Sequence, residues 1–331
     1  MLKKTDPVGH VKDIIQDKAS AEHRILCVTP AISEIKTLDE LLGCKVTHTP
    51  LMLNSACAVI VHGEGRPVRK ALSASTALEL PLLYTDFGPL QTFEHKKHQS
   101  LSLTVDHLGA MNASDRETHL EGLIKSVPED AALSRAQNLI TQWKTTRASR
   151  FNHGLGPKLP DQRFVTVIAE PTALGGRKET SKQITQQLVD KAKKAFPAHQ
   201  VAVVASGEYA ADALEHADAA FVSTSAVGFE ALIWGTPLYV GGMPFYAGWG
   251  LSEDELPAPP RRDGLTHGLA QLFHAYVVEY TRYVNPYDHQ RLTPEEALQL
   301  LANTRPAAIE QARAKMKQRN NMPGWLRWLS R

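Results

Sequence analysis

Residues 224–251 read TSAVGFEALIWGTPLYVGGMPFYAGWGL. The stretch opens on hydroxyl-bearing residues, passes through an apolar helical segment at Val227–Trp234, and enters a short strand at Pro237–Val240. Helix followed by strand in so few residues is half of a βα repeat and sets the expected fold class as α/β. Gly241, Gly242, Gly248 and Gly250 then fall within ten residues. Ordering that many glycines costs backbone entropy, so they imply special backbone angles or the close approach of another group. Phe245, Tyr246 and Trp249 lie among them and are expected to line a ligand cleft.

Working outward, the same rhythm recurs. Strands are expected at Arg24–Thr29, Ala56–His62 and Pro81–Tyr84, with helices at Ser33–Leu42 and Pro67–Leu80 between them. The near-continuous apolar runs suit parallel strands covered on both faces. A helix over Glu129–Arg147 precedes Asn152-His-Gly-Leu-Gly-Pro157, a turn-rich break. The pattern then restarts with strands at Arg163–Ala169, Gln200–Ala205 and Ala219–Ser223, and helices at Glu179–Ala195 and Tyr209–His216. The expected architecture is therefore two Rossmann-like domains facing a cleft, at residues 1–155 and 156–304. One large doubly wound sheet is the competing topology. After an expected loop at Glu253–Pro260, a helix is read from Leu265 to Tyr280. Thr293-Pro-Glu-Glu gives the start of another, with a threonine cap and acidic residues at the positive end.

The chain has 331 residues, 43% of them hydrophobic, and a formal net charge of +2. That balance does not suggest a nucleic-acid partner. Cys27, Cys44 and Cys57 lack metal or redox spacing and read as small apolar fillers in a reducing compartment. The N-terminal residues carry no apolar run of signal-peptide type, and a cytoplasmic location is the expectation. Residues 305–331 form a basic tail ending Met322-Pro-Gly-Trp-Leu-Arg-Trp-Leu-Ser-Arg331. Tryptophan and leucine beside arginine suit the surface of a membrane; packing on the domain is the other reading.

Ser223, Thr224 and Ser225 stand at a strand end and a helix start, where free amides attract a phosphate or the hydroxyls simply cap the helix. Glu230, in the first turns of an apolar helix, is placed to accept ribose hydroxyls. Asp86, after the strand at 81–84, is a base or a turn former. Glu170 follows the strand at 163–169, ahead of Gly175-Gly-Arg-Lys-Glu-Thr180, which lacks Walker spacing. His95 and His98 have no third ligand in the pattern, so no metal is expected, and no G-x-S-x-G elbow is present.

The block Thr224–Pro237, continued by Pro244-Phe-Tyr-Ala-Gly-Trp-Gly-Leu251, resembles the signature of the capsule polysaccharide biosynthesis family of the KpsC and LipA type. Ser100-Leu-Ser-Leu-Thr-Val-Asp-His-Leu-Gly109, Ser149-Arg-Phe-Asn-His-Gly154, Arg261-Arg262 and Tyr280-Thr-Arg-Tyr-Val-Asn-Pro286 extend the similarity over roughly residues 80 to 305. The resemblance implies a glycosyltransferase of the two-Rossmann GT-B type that uses CMP-Kdo as donor and no cofactor. Its acceptor would be a glycan or phospholipid, with inner-membrane surface and capsule assembly proteins as partners. It implies that Ser223, Thr224, Ser225, Gly228 and Glu230 serve the donor, and that Asp86 and Glu170 carry the chemistry. Thr85-Asp-Phe-Gly88 keeps the aspartate of a family turn but moves its glycine. Glu170-Pro171 replaces an aspartate-glutamine pair, and Val204-Ala-Ser-Gly-Glu208 lacks the family's lysine-histidine-proline. These departures leave two alternatives, a noncatalytic capsule assembly or export factor on the same fold and, more distantly, an epimerase-like protein.

Overall fold

The computed structural model describes residues 24–48, 55–62, 66–91, 100–152, 155–171, 178–262 and 264–321. Along the chain the elements are β1 (Arg24–Cys27), α1 (Pro30–Ser33), α2 (Leu38–Leu42), β2 (Lys45–Thr47), β3 (Ala56–His62), α3 (Arg66–Leu78), β4 (Leu82–Phe87) and β5 (Ser102–Asp106). Next come α4 (His119–Lys125), α5 (Asp130–Thr146), β6 (Phe164–Ile168), α6 (Lys178–Ala195), β7 (Gln200–Val204), α7 (Ala211–His216) and β8 (Ala220–Val222). They are followed by α8 (Val227–Trp234), β9 (Leu238–Val240), β10 (Glu253–Asp254), α9 (Gly268–Phe273), a π-helical segment (His274–Tyr280), β11 (Thr281–Val284), β12 (Arg291–Leu292) and α10 (Pro294–Asn321).

Two sheets form, making a mixed α/β fold. One runs β12-β11-β5-β4-β3-β1-β2 and the other β10-β9-β8-β6-β7. Strand β3 explains the first: Ala56 through Val61 are all buried, so both faces must be covered. Each Val or Ile so buried contributes on the order of 1.5–3 kcal/mol. The second sheet is parallel throughout, as its apolar strands lead one to expect. The first is not. Strands β4 and β5 are antiparallel, as are β5 with β11 and β11 with β12. Among the described residues no helix lies between β4 and β5, in keeping with antiparallel pairing.

Strands β11 and β12 complete the first sheet from beyond residue 280, although the expected boundary near residue 155 assigned them to the second unit. A buried cluster also runs from Leu90, Leu101 and Tyr283 beside the first sheet to Ile168, Val204, Val222 and Val240 of the second. Helix α10 starts where Thr293 predicts. The Thr293 hydroxyl accepts from the Glu296 N–H at 3.3 Å, and Glu296 Oε2 accepts from the Thr293 N–H at 2.7 Å, a reciprocal capping box. The helix continues without a break through Arg305, where a separate tail was expected. The Arg305 guanidinium sits 4.0 Å from the Tyr209 ring centroid and donates to Arg147 O. The tryptophans of the tail, His95, His98, Gly175 and Gly176 lie outside the described residues. Among the described residues, no helix is long and apolar enough to cross a membrane.

Candidate functional site

Helix α8 is the hub. Its seven residues Val227 through Ile233 are buried, and Gly235 closes it in the left-handed conformation. Its leading turn, 223–226, faces the end of β6. Glu170 Oε2 accepts the Thr224 N–H at 3.1 Å, and Glu170 Oε1 accepts the Thr224 hydroxyl. Glu170 and Thr224 are thus brought together as the sequence implies, but as partners of each other. The carboxylate occupies donors that a phosphate would otherwise use. The Ser225 hydroxyl accepts from Val227 N–H at 3.4 Å and its carbonyl from the Tyr246 hydroxyl at 2.7 Å, so Ser225 is fastened inside. Ser223 is half-buried.

The aromatic trio does not line a cleft. Phe245 and Tyr246 are fully buried and Trp249 nearly so. Phe245 packs 4.3 Å from the Tyr276 ring centroid, and Trp249 Nε1 donates to Phe245 O at 2.8 Å. Each polar ring atom of Tyr246 and Trp249 finds a backbone acceptor, so burial keeps its hydrophobic gain without an unmet donor. Gly228 is explained by the same packing: a Cβ there would lie 2.2 Å from the Tyr246 hydroxyl oxygen. That contact, not a ligand, requires glycine in this conformation.

The loop is held from outside by a buried ion cluster that the sequence reading did not assign. Arg262, wholly buried, donates from Nε to Glu121 Oε1 at 2.6 Å and from Nη1 to Pro244 O and Ala247 O at 2.7 and 2.8 Å. Arg261 adds a 2.7 Å contact to the other Glu121 oxygen. Burial pulls the Arg262 guanidinium down from its usual range, an effect the Glu121 charge only partly offsets. The adjacent arginines at 261 and 262 were the available signal, since paired guanidinium groups beside an apolar loop need a carboxylate partner.

Asp86 and Glu230 form a second polar group. Glu230, 2% exposed, accepts the Arg150 backbone N–H at Oε1, 2.8 Å away. Its carboxyl is pushed up to about 7 by burial, against the opposing hydrogen bonds from Arg150 and Ser149. It faces the 149–152 turn and is shut off from solvent, so it is not placed to meet a ribose in this conformation. The Arg150 side chain, 11% exposed, donates from Nη2 to Asp86 Oδ1 at 3.1 Å. Burial disfavours its charge, but Asp86, Tyr276 and Glu230 outweigh that and hold it above its usual range. Asp86 lies on β4 with its side chain 35% exposed, the most open carboxylate of the group. Among the described residues, none is a hydrogen-bond partner of the buried Arg150 Nη1, Glu230 Oε2 or Tyr276 hydroxyl. Burial drives the Tyr276 hydroxyl well up.

An apolar cavity of about 240 Å³, lined by Leu232, Gly235, Thr236, Pro237, Leu251 and Leu269, lies at the other end of α8 from these groups. Among the described residues no His, Cys, Asp and Glu cluster is arranged to hold a metal ion.

The sequence profile described as capsule polysaccharide biosynthesis protein matches residues 160–284. The capsule polysaccharide modification protein LipA of Neisseria meningitidis serogroup B is 43% identical over 88 residues, 27% of this chain and 12% of LipA. The lipopolysaccharide-processing protein LpsZ of Rhizobium meliloti is 30% identical, covering 55% of this chain and 49% of LpsZ. The chain thus spans about half or less of these relatives. In fold it is similar to the beta Kdo 2,4 transferase of Thermosulfurimonas dismutans KpsC, with a TM-score of 0.72 and 21% identity over 86% of this chain and 99% of that one. The beta Kdo 2,7 transferase of the same KpsC aligns at a TM-score of 0.60 and 21% identity, over 85% and 99%. Residues 160–284 thus match the capsule polysaccharide biosynthesis profile, and over most of its length the chain is similar in fold to the two transferase units of KpsC.

Proposed function

We propose that the chain is a glycosyltransferase of capsular polysaccharide biosynthesis, with a GT-B arrangement of two units in which the chain crosses from the first to the second near residue 155 and returns to the first sheet at β11. It would transfer Kdo from CMP-Kdo to a lipid-linked or glycan acceptor. The observation that carries this is Asp86: a carboxylate on β4 whose Oδ1 is fastened by Arg150 and whose side chain remains partly open. In a retaining transfer, an Asp86 oxygen attacks the anomeric carbon as the bond to the CMP phosphate breaks and CMP leaves with the electron pair. The acceptor hydroxyl then displaces the carboxylate and gives its proton to water. Ser223 and Thr224 are the donor-side residues nearest the surface, with CMP as their ligand. Work at the cytoplasmic face of a membrane, among other capsule proteins, belongs to the same reading. Purified protein mixed with CMP-Kdo and a short Kdo-bearing acceptor should release CMP and extend the acceptor; no release and no calorimetric binding of CMP-Kdo would refute the enzyme.

One observation favours a second reading, a noncatalytic assembly factor on the same fold. Glu170 already engages both donors of Thr224, its N–H and its hydroxyl, and a donor phosphate must displace it to reach them. Binding of glycan without CMP release would select this reading.

A further inference from the structure

Arg150 lies in the Ser149–Gly154 segment but is not one of the candidate site residues, yet it is the residue on which the two halves of the polar group meet. It sits in the turn after α5, and every side of that turn is tied down. Ser149 N–H donates to Asn152 Oδ1 at 3.0 Å, and Asn152 Nδ2 donates at 2.9 Å to the carbonyl of Gln91, in the loop after β4. The Arg150 N–H donates to Glu230 on α8 at 2.8 Å. The main chain of Arg150 is therefore fixed to both sheets' surroundings, and its side chain reaches out to Asp86 from a defined origin.

At Asp86 the geometry is asymmetric. Oδ1 accepts from Phe87 N–H at 2.7 Å and from Arg150 Nη2 at 3.1 Å. Among the described residues, no donor meets Oδ2. The Asp86 side chain is about three times as exposed as that of Arg150, 35% against 11%, so the guanidinium backs the carboxylate and the remaining oxygen is the one left to face outward. Two donors on one oxygen fix the plane of the carboxylate. Such fixing matters because misplacement of a reacting group by about 1 Å costs on the order of 100-fold in rate.

We propose that Arg150 is the positioning residue of this site: anchored through its main chain by Glu230, it holds Asp86 Oδ1 so that Oδ2 alone is presented to substrate. The inference rests on the reading of Asp86 as the reacting carboxylate. Its consequence is that α8, which begins at the donor-side turn, sets the orientation of Asp86 through Glu230 and Arg150.

The test measures donor kcat and KM for Arg150→Met, Arg150→Lys, Glu230→Ala, Glu230→Gln and the double variant Arg150→Met/Glu230→Ala. Asp86→Asn is the control, and thermal melts confirm folding. Arg150→Met should lower kcat about 100-fold with a change in KM below about threefold, since positioning is lost and donor binding is not. Arg150→Lys, which keeps the charge but not the planar fork, should recover part of it. Glu230→Gln keeps an acceptor for the Arg150 N–H and should recover part of what Glu230→Ala loses. The double variant should be no slower than Arg150→Met, because both changes cut one chain of contacts. Wild-type kcat in folded Arg150→Met, a loss confined to KM, or additive losses in the double variant would overturn the proposal. If Arg150→Met does not fold, Arg150→Lys decides: a kcat loss of about tenfold supports the proposal, and an unchanged kcat overturns it. Absence of CMP release by the wild type, or full activity of Asp86→Asn, instead removes the underlying reading and the proposal with it.

Discussion

Glu230 makes the sharpest single-residue prediction because it is a buried carboxylic acid on helix α8, held against the 149–152 turn. Its carboxyl is raised from 4.5 to about 7 by burial. The folded protein therefore holds this proton more tightly than the unfolded chain does. The stability that the group contributes is full below about pH 4.5, falls as pH rises through about 7, and is flat above that. The whole change amounts to roughly 3 kcal/mol. Glu230→Gln cannot ionise, so urea midpoints taken at about pH 5 and about pH 8 should lie closer together in the variant than in the wild type. Equal pH dependence in both proteins would show that Glu230 does not titrate in this interval. Arg150 and Tyr276 are the charged or titratable groups that interact with it, and they remain in both proteins.

At the scale of elements, the glycine-aromatic loop and helix α8 behave as one packed body. Gly228→Ala places a methyl group 2.2 Å from the Tyr246 hydroxyl oxygen, and overpacking of this kind costs about 1–3 kcal/mol. Denaturant unfolding should show that loss, and adding Tyr246→Phe should return part of it by removing the oxygen. Arg262→Met should cost about 3–5 kcal/mol, because it strips a partner from buried Glu121 and releases the carbonyls of residues 244 and 247. A loss below about 1 kcal/mol would mean that the loop is held by its rings alone. These elements also show what a sequence can disclose. Apolar runs such as Ala56–His62 and Phe164–Ile168 announce buried strands, and Val227–Trp234 begins and ends where its composition says. Strand β5 did not announce itself, because Ser102 and Thr104 are polar yet buried, with their hydroxyls paired inside to Leu90 O and Asp86 O. The single helix read over Leu265–Tyr280 divides into α9 and the π-helical segment, a switch with no signature in local propensity. Arg150 was hidden for another reason: its partners are 64 and 80 residues away in the chain. The aromatic trio looked like a cleft because composition gives the presence of rings but not the direction they face.

For the molecule as a whole, the decisive feature is that the chain leaves the first sheet after β5 and returns to it at β11. Thr281, Arg282 and Tyr283 pair with Thr104, Leu103 and Ser102. A fragment ending at residue 155 would present β5 as an unpaired edge beside uncovered apolar surface. Such a fragment should associate or bind an environment-sensitive dye, and adding residues 156–321 in the same chain should abolish this; a monomeric, cooperatively folded fragment would refute it. The fold class and the second sheet were legible because parallel βα units are local in sequence. The return of β11 was not, because it is a pairing across about 175 residues. That distance also sets a clock during synthesis. With Asp106 already made, the ribosome must still add those residues before Thr281 emerges, roughly 10–35 s at ~5–20 residues per second. Through that interval the nascent chain carries a sheet lacking its closing strands, and this is when its apolar edge most needs protection from association.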